Sequence, residues 1–304
     1  IITDFKCTKS DLFFFKGVEV IRSKLFSRST FNRIFNKIII ILFGKNIIIQ
    51  NYLITNNIHI LSHFSCLGNK SKIPSIFWQP DFQEVNNPDL ISFKRKIFRK
   101  INILLMSKHA NKILLSSNTV KKELKKINFE AYKKSEVISN VFSNLPNNLY
   151  KSSDYLQKKF KINKNYFFLP NHYWIHKNHI LVLQSLISLK KKNKLKNIQI
   201  VSTGQFNDYR NPNHKDKIIQ IIKTHKLENN FKILGIVSHP ELMSLMKLSI
   251  AVINPSKSEG WSSTVEQAKS LGKFVLLSNL PVHKEQNPKR SFYFKVNDYL
   301  ALSK

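Results

Sequence analysis

Asn254-Pro-Ser-Lys-Ser-Glu259-Gly-Trp-Ser-Ser-Thr-Val-Glu266-Gln-Ala-Lys-Ser-Leu-Gly272 decides how this chain folds. An apolar run, Leu248 to Ile253, precedes it, and another, Phe274 to Leu277, follows. The order reads strand, polar loop, helix, strand. Ser263-Thr-Val-Glu266 has the spacing of a capping box, and Gly272 is placed to end the helix that Ser263 begins. In an open α/β sheet, ligands bind where such loops leave the carboxyl ends of strands. This loop offers two carboxylates, several hydroxyls and free N–H groups at a helix start. That set suits a polyhydroxylated ligand carrying phosphate.

The same alternation extends along the chain. Short apolar runs are expected as strands at residues 58–61, 75–78, 112–115, 136–138, 166–169, 199–202, 231–234, 250–253 and 274–277. They do not alternate with polar residues, as befits strands buried on both faces. Helical stretches are expected at residues 178–190, 214–225 and 241–248, and Ser238-His-Pro-Glu241 is a second capping box. The repetition predicts parallel sheets with crossover helices. A polar segment between Asn144 and Asn165 predicts two domains, 1–150 and 151–304, which suits a chain of 304 residues.

The formal net charge is +32. It first suggests nucleic acid. The excess is spread from Lys6 to Lys304 rather than gathered into a stripe, and Lys, Asn and Ile dominate throughout. Base composition together with an anionic membrane surface accounts for it better. Cys7 and Cys66 are the only cysteines and lack partners at zinc spacing, which points to a reducing cytosol. The apolar run Ile38 to Phe43 is too short to span a bilayer. The chain begins abruptly at Ile1, so a missing N-terminus is expected.

The segment Asn254 to Gln286, with Glu259-Gly-Trp, Val265-Glu266-Gln-Ala-Lys and Leu280-Pro-Val-His-Lys-Glu-Gln286, resembles the family 4 glycosyltransferases of GT-B fold. The likeness is to the bacterial subgroup that builds O-antigen and other surface polysaccharides. Trp78-Gln-Pro-Asp-Phe-Gln83, Leu115-Ser-Ser117, Leu169-Pro-Asn-His-Tyr-Trp-Ile-His-Lys-Asn-His179, Asp208-Tyr-Arg-Asn-Pro212 and Leu234-Gly235 follow in the expected order. The resemblance implies two Rossmann-like domains facing a cleft. It further implies a retaining transferase that uses no metal or other cofactor. The donor would be a nucleotide-diphosphate sugar held by the C-terminal domain. The acceptor would be a glycan or polyprenyl-linked glycan held by the N-terminal domain. The setting would be the cytoplasmic face of the membrane, with peripheral contact to anionic lipid and no nucleic-acid partner.

The resemblance also assigns roles. Glu259 would face the donor sugar and Glu266 the ribose hydroxyls; a carboxylate can accept from two adjacent hydroxyls. Gly260, Trp261, Ser262, Ser263 and Thr264 would offer backbone N–H groups to the diphosphate. Lys177 would neutralise the departing phosphates. His63 would face the donor sugar, and Asp81, with Gln83, would orient the acceptor hydroxyl. Gly235 and Val237 would present backbone to the base. Plainer readings stand beside these: a capping residue, a loop acid, one more solvated lysine, a turn at Pro80-Asp81. The sequence departs from the family in three places. Six residues separate Glu259 from Glu266, one fewer than in the general pattern. The usual arginine upstream of Lys177 is absent; Asn171 and His172 stand near its place, and Arg210 is a substitute candidate. The glycine-rich loop after the first strand is not visible. A degenerate member that binds nucleotide sugar without transferring it is therefore the rival expectation.

Overall fold

The computed structural model describes residues 1–3, 17–27, 29–63, 67–83, 88–90, 92–208 and 211–304. Cys7, Cys66 and Arg210 lie outside these residues. The strands are β1 (Ile2–Thr3), β2 (Ile21–Arg22), β3 (Leu61–Ser62), β4 (Ser75–Gln79), β5 (Lys112–Leu115), β6 (Ser135–Val137), β7 (Phe167–Pro170), β8 (Ile200–Thr203), β9 (Phe231–Ile233), β10 (Val252–Asn254), β11 (Val275–Ser278) and β12 (Ser291–Phe294). The α-helices are α1 (Thr30–Phe43), α2 (Ile47–Thr55), α3 (Phe93–His109), α4 (Asn118–Ile127), α5 (Phe129–Lys133), α6 (Ser153–Phe160), α7 (His179–Lys191), α8 (His214–Thr224), α9 (His239–Leu248), α10 (Ser263–Ser270), α11 (Pro281–Gln286) and α12 (Tyr299–Leu302).

The chain packs as two units. The first comprises Ile1–Gln79, Phe98–Leu114 and Leu124–Glu136; the second comprises Pro80–Ile97, Leu115–Glu123 and Val137–Lys304. The first unit holds β1 paired with β2, and the sheet β3-β4-β5-β6 apart from its terminal residues Leu115 and Val137. Strands β3 and β4 are parallel, with Leu61 opposite Ser75. A small core of Phe26, Ile49, Leu53, Leu61, Leu67 and Ile73 fills this unit.

The second unit is built on a six-stranded sheet in the order β12-β11-β10-β7-β8-β9. Each of its five strand pairs is parallel. Its strands are apolar on both faces because both are covered. Phe168, Val201 and Val252 point into one core with Leu245, Val265 and Leu277. Their neighbours Leu169, Ile200 and Ile253 point into the other, against Val182, Leu186 and Ile218. The chain runs outward from β7 through β8 to β9, then returns beside β7 at β10 and runs outward the other way. Loops that follow β7 and β10 therefore diverge at the point where strand order reverses, which is where open α/β sheets bind ligands.

Eight of the nine expected strands form within two residues of the expected bounds; the one expected at 58–61 forms only as β3, Leu61–Ser62, and shares Leu61 alone. Strands β1, β2 and β12 were not expected. Helix α9 carries the capping box of Ser238 and Glu241 and begins at His239, two residues earlier than expected. The second expected box does not form. The N-cap of α10 is Ser262, whose hydroxyl accepts from Asn254 Nδ2 at 2.7 Å, and Glu266 is engaged elsewhere. Gly272 follows the helix at φ +62, as expected.

Candidate functional site

The site is built where β7 and β10 lie side by side. After β7, residues 175–177 form a turn of 3-10 helix that leads through Asn178, at φ +59, into α7. After β10, residues 255–262 cross to α10. Two bonds tie the loops together: Lys257 N–H donates to the His176 carbonyl at 2.7 Å, and Asn178 Nδ2 to the Pro255 carbonyl at 3.2 Å. This docking brings Lys177 and Glu259, 82 residues apart, to 2.6 Å between Nζ and Oε1. The side chains are 14% and 9% exposed, so the pair is largely withdrawn from water.

Burial alone would raise the Glu259 pKa. That is the largest single influence, but the charges of Lys177 and His283, with hydrogen bonds from Lys177 and from Ser256 Oγ at 2.7 Å, together outweigh it, so the carboxyl sits below its ordinary value. His283 lies fully buried in the same field. Its Nδ1 pairs with the Ser278 carbonyl at 2.8 Å, while Nε2 makes no hydrogen bond. Burial lowers the His283 pKa, opposed by the Glu259 charge. His172 is lowered by burial and then by the Lys177 charge. Its Nδ1 accepts from Gln205 N–H at 2.8 Å, which leaves the proton on Nε2. Near the place where the resemblance implies an arginine, this chain thus has the amide of Asn171 and the neutral ring of His172.

Helix α10 starts with no side-chain cap, so the N–H groups of its first turn are available to an anion. Ser262 is held from the far side. Its N–H donates to Gln286 Oε1 at 3.3 Å and its carbonyl accepts from Gln286 Nε2 at 2.9 Å. The same Nε2 donates to Glu266 Oε1 at 2.9 Å, and Lys269 Nζ reaches that oxygen at 3.0 Å. Glu266 is buried at the helix start, one turn beyond Ser262. Asn171, at the end of β7, is buried with its Nδ2 unpartnered, and Thr264 Oγ1 donates to the Pro170 carbonyl at 3.3 Å.

Gly260 is demanded by packing. A Cβ there would lie 1.9 Å from the Pro80 carbonyl oxygen and 3.0 Å from Asp81 Cβ. The Pro80-Asp81 loop is thereby set against the Glu259-Gly260-Trp261 loop, within the second unit. Ser116 Oγ donates to the Pro80 carbonyl at 2.5 Å, and Asp81 Oδ2 accepts from Gln83 Nε2 at 3.1 Å. Trp261 Nε1 donates to the Asn140 carbonyl at 2.9 Å. The Gly235 carbonyl accepts from Gly204 N–H at 2.7 Å, and Val237 packs its side chain into the sheet core. His63 belongs to the first unit. There its ring tilts against Trp78 at 5.3 Å, with Nδ1 2.7 Å from Ser62 Oγ.

Asn171, Lys177, Glu259, Gly260, Ser262, Thr264 and Glu266 thus converge at one end of one sheet. Gln286, His283 and Ser256 were not expected there. The first two lie in the stretch Leu280 to Gln286 that carried the resemblance, but their roles depend on α11 folding back against α10. Among the described residues, no group of three or more His, Cys, Asp or Glu side chains is arranged to hold a metal. A cavity of about 420 Å³, lined by Ile175, Asn178, His214, Lys217 and Lys257 among others, shares the 175–178 loop but not Lys177 or either glutamate. A cation, a buried carboxylate and an open helix N-terminus around one point can bind a diphosphate and hydroxyls together.

Known proteins carry the same arrangement of elements. The chain superposes on HepE from Anabaena, solved with UDP and glucose, with a TM-score of 0.70, 16% identity, and coverage of 97% of this chain and 77% of that one. It superposes on a glycosyltransferase from Rickettsia africae with a TM-score of 0.66, 19% identity, and coverage of 97% and 75%. The fold is therefore α/β of the GT-B type, with Rossmann-like parallel sheets. In sequence it is 27% identical over 219 residues to the O-antigen chain mannosyltransferase RfbU of Salmonella typhimurium, which covers 72% of this chain. The chain spans 56% of the length of that relative. Residues 152–304, half of the chain and the half that carries the Lys177, Glu259 and Glu266 constellation, match the family described as glycosyl transferases group 1, and to that family the chain belongs.

Proposed function

We propose that this chain is a retaining glycosyltransferase that moves a hexose from a nucleotide-diphosphate sugar to a hydroxyl of a glycan or lipid-linked glycan in surface-polysaccharide assembly. Residues 151–304 would be the donor half and 1–150 the acceptor half. The work would be done at the cytoplasmic face of the membrane. The observation that carries the reading is the Lys177–Glu259 pair set beside the uncapped start of α10 and the buried Glu266. The HepE neighbour, solved with UDP and glucose, and the Salmonella relative, a mannosyltransferase by name, support this choice of donor class.

In the proposed reaction the bond from the anomeric carbon to the donor phosphate breaks and a bond to the acceptor oxygen forms on the same face. The acceptor proton passes to the departing phosphate oxygen. Lys177 and the N–H groups of Ser263 and Thr264 would stabilise the charge that builds on the diphosphate, a duty best met by preorganised donors. Glu259, kept ionised by Lys177, would accept from sugar hydroxyls, and Glu266 from the ribose. Donor binding would draw Lys177 from Glu259 toward phosphate, so the ion pair would hold both groups in place until the ligand arrives. Asn171 Nδ2, buried without a partner, would be a donor for a ligand oxygen. No step requires a metal.

The test is product stereochemistry. UDP-glucose and GDP-mannose would be supplied with a lipid-linked glycan, and the anomeric configuration of the product read by NMR. Retention supports the proposal; inversion, or hydrolysis alone with every acceptor, contradicts it.

A further inference from the structure

Helix α1 in the first unit carries its apolar residues on the wrong side for a helix of a water-soluble protein. Phe31, Ile34, Phe35, Ile38, Ile41 and Leu42 recur at helical spacing and are all exposed, Phe31 to 74%. The opposite face is the one that docks: Ile40 is buried, and Asn36 Oδ1 accepts from Asn46 Nδ2 at 3.0 Å. Lys37 Nζ lies 3.9 Å from the centre of the Phe98 ring, which sets α3 beside α1. That part of α3 adds Phe98, Ile101 and Leu104, exposed in turn at a spacing of three. A contiguous apolar stripe of this kind marks an interaction surface.

Charge indicates what covers it. No Asp or Glu occurs between Glu19 and Asp81, a stretch with eight lysines and arginines, and α3 has no acid either. Cations stand at both ends of α1. Asn32 Nδ2 donates to the Lys24 carbonyl at 3.3 Å, and Lys45 follows the C-cap Gly44. Aliphatic and aromatic side chains flanked by Lys and Arg, with no acid among them, are the chemistry of a helix lying in the headgroup region of an anionic bilayer. Among the described residues no single helix is long and apolar enough to cross a membrane, and the pair Ile34–Phe43 and Ile47–Thr55 is bent by 98°. Ile49 and Leu53 of α2 are committed to the core of the first unit.

We propose that α1 and the adjoining part of α3 form a lipid-docking face. The stripe enters the boundary between headgroups and acyl chains, and the flanking cations pair with headgroup phosphates. Its purpose rests on the reading above that the acceptor is lipid-linked: the face holds the enzyme where such an acceptor lies.

The test is sedimentation of residues 1–304 with vesicles of phosphatidylcholine, with and without phosphatidylglycerol, at low and high salt. The chain is expected to pellet with the anionic vesicles and to be released by salt. Phe31→Ser with Phe35→Ser should weaken partitioning about tenfold or more, the effect of withholding two aromatic side chains from lipid. Lys24→Glu with Lys45→Glu should remove the preference for phosphatidylglycerol; Phe31, Phe35 and Lys24 are exposed and Lys45 is half-buried, and the fold of both variants is checked by circular dichroism. Equal binding by wild type and the Phe variant overturns the proposal. So does a chain that ignores vesicles and sediments as a dimer through the same stripe. Thermal shift with nucleotide sugars separates the two readings. Vesicle binding without a nucleotide-sugar response would retire the transferase and leave the docking face standing. The reverse would remove the docking face alone.

Discussion

Helices α10 and α1 answer the same sequence problem in opposite ways. Helix α10 has eight residues and is rich in polar side chains, yet Thr264, Val265, Glu266 and Ala268 are buried. Its carboxylate and the preceding Ser262 are gripped by Gln286. Helix α1 has fourteen residues and no acid in its first turn, and presents most of its large apolar side chains to the outside. Polarity in the sequence therefore says little about burial here. What decides is whether neighbouring elements supply partners: α10 has α11 and the end of β10, whereas the apolar side chains on the outer face of α1 are exposed among the described residues. Under the two proposals above, buried polarity would mark the donor site and exposed apolarity the docking face.

The comparison can be pressed first where packing is tightest. Phe168 of β7 is fully buried and Phe31 of α1 is 74% exposed. Phe168→Ala is expected to cost about 3–5 kcal/mol in urea unfolding. Phe31→Ala is expected to cost under about 0.5 kcal/mol, the range for open surface. Comparable losses would mean that α1 is covered in solution.

The next effect is electrostatic and reverses sign with pH. In the wild type, Glu259 has a folded pKa below its ordinary 4.5. Its contribution is then complete above pH 4.5 and is lost as pH falls through the lowered value. Lys177→Met leaves the carboxylate buried without its cation, a loss of about 3–5 kcal/mol near neutral pH. Burial then dominates and the folded pKa rises above 4.5. The variant should gain stability relative to wild type on acidification, because protonation relieves the isolated charge. Melting across that pH range is the measurement, and parallel curves for the two proteins would show that the pair is not coupled.

Gly260→Ala comes third. The Cβ has no room against the Pro80 carbonyl, so the loop must shift. Overpacking of this kind costs about 1–3 kcal/mol. Donor binding should suffer more than stability, since Glu259 and the start of α10 flank the shifted residue. A variant with a lower melting temperature but unchanged nucleotide-sugar affinity would place the ligand elsewhere.

Much of the fold was legible because buried parallel strands are nearly all apolar, so Lys112 to Leu115 and Phe231 to Ile233 stand out against polar surroundings. Strand β12 escaped notice: Ser291 to Phe294 lies at the sheet edge, half exposed, behind a basic turn. Strands β1 and β2 have two residues each, too few for any period. In the site, Lys177, Glu259 and Glu266 could be picked out by residue type and resemblance. The capping box at Ser263 could not be judged from spacing, because the helix is capped one residue earlier, at Ser262, whose hydroxyl is held by Asn254 from 8 residues away, while Gln286 takes Glu266 from 20 residues away. Gln286 and His283 were hidden for the same reason. Their place beside α10 depends on the return of α11 onto it, a tertiary fact that local pattern does not encode.

The central claim is that the start of α10 and the loop before it hold a nucleotide-diphosphate sugar. Calorimetric titration of the wild type and of Glu266→Ala with UDP-glucose and GDP-mannose tests it most directly. Binding of at least one donor by the wild type, weakened about tenfold or more in the variant by loss of a charged hydrogen-bond acceptor, is the predicted result. Equal affinity in both proteins, or no binding of either donor by the wild type, would contradict it.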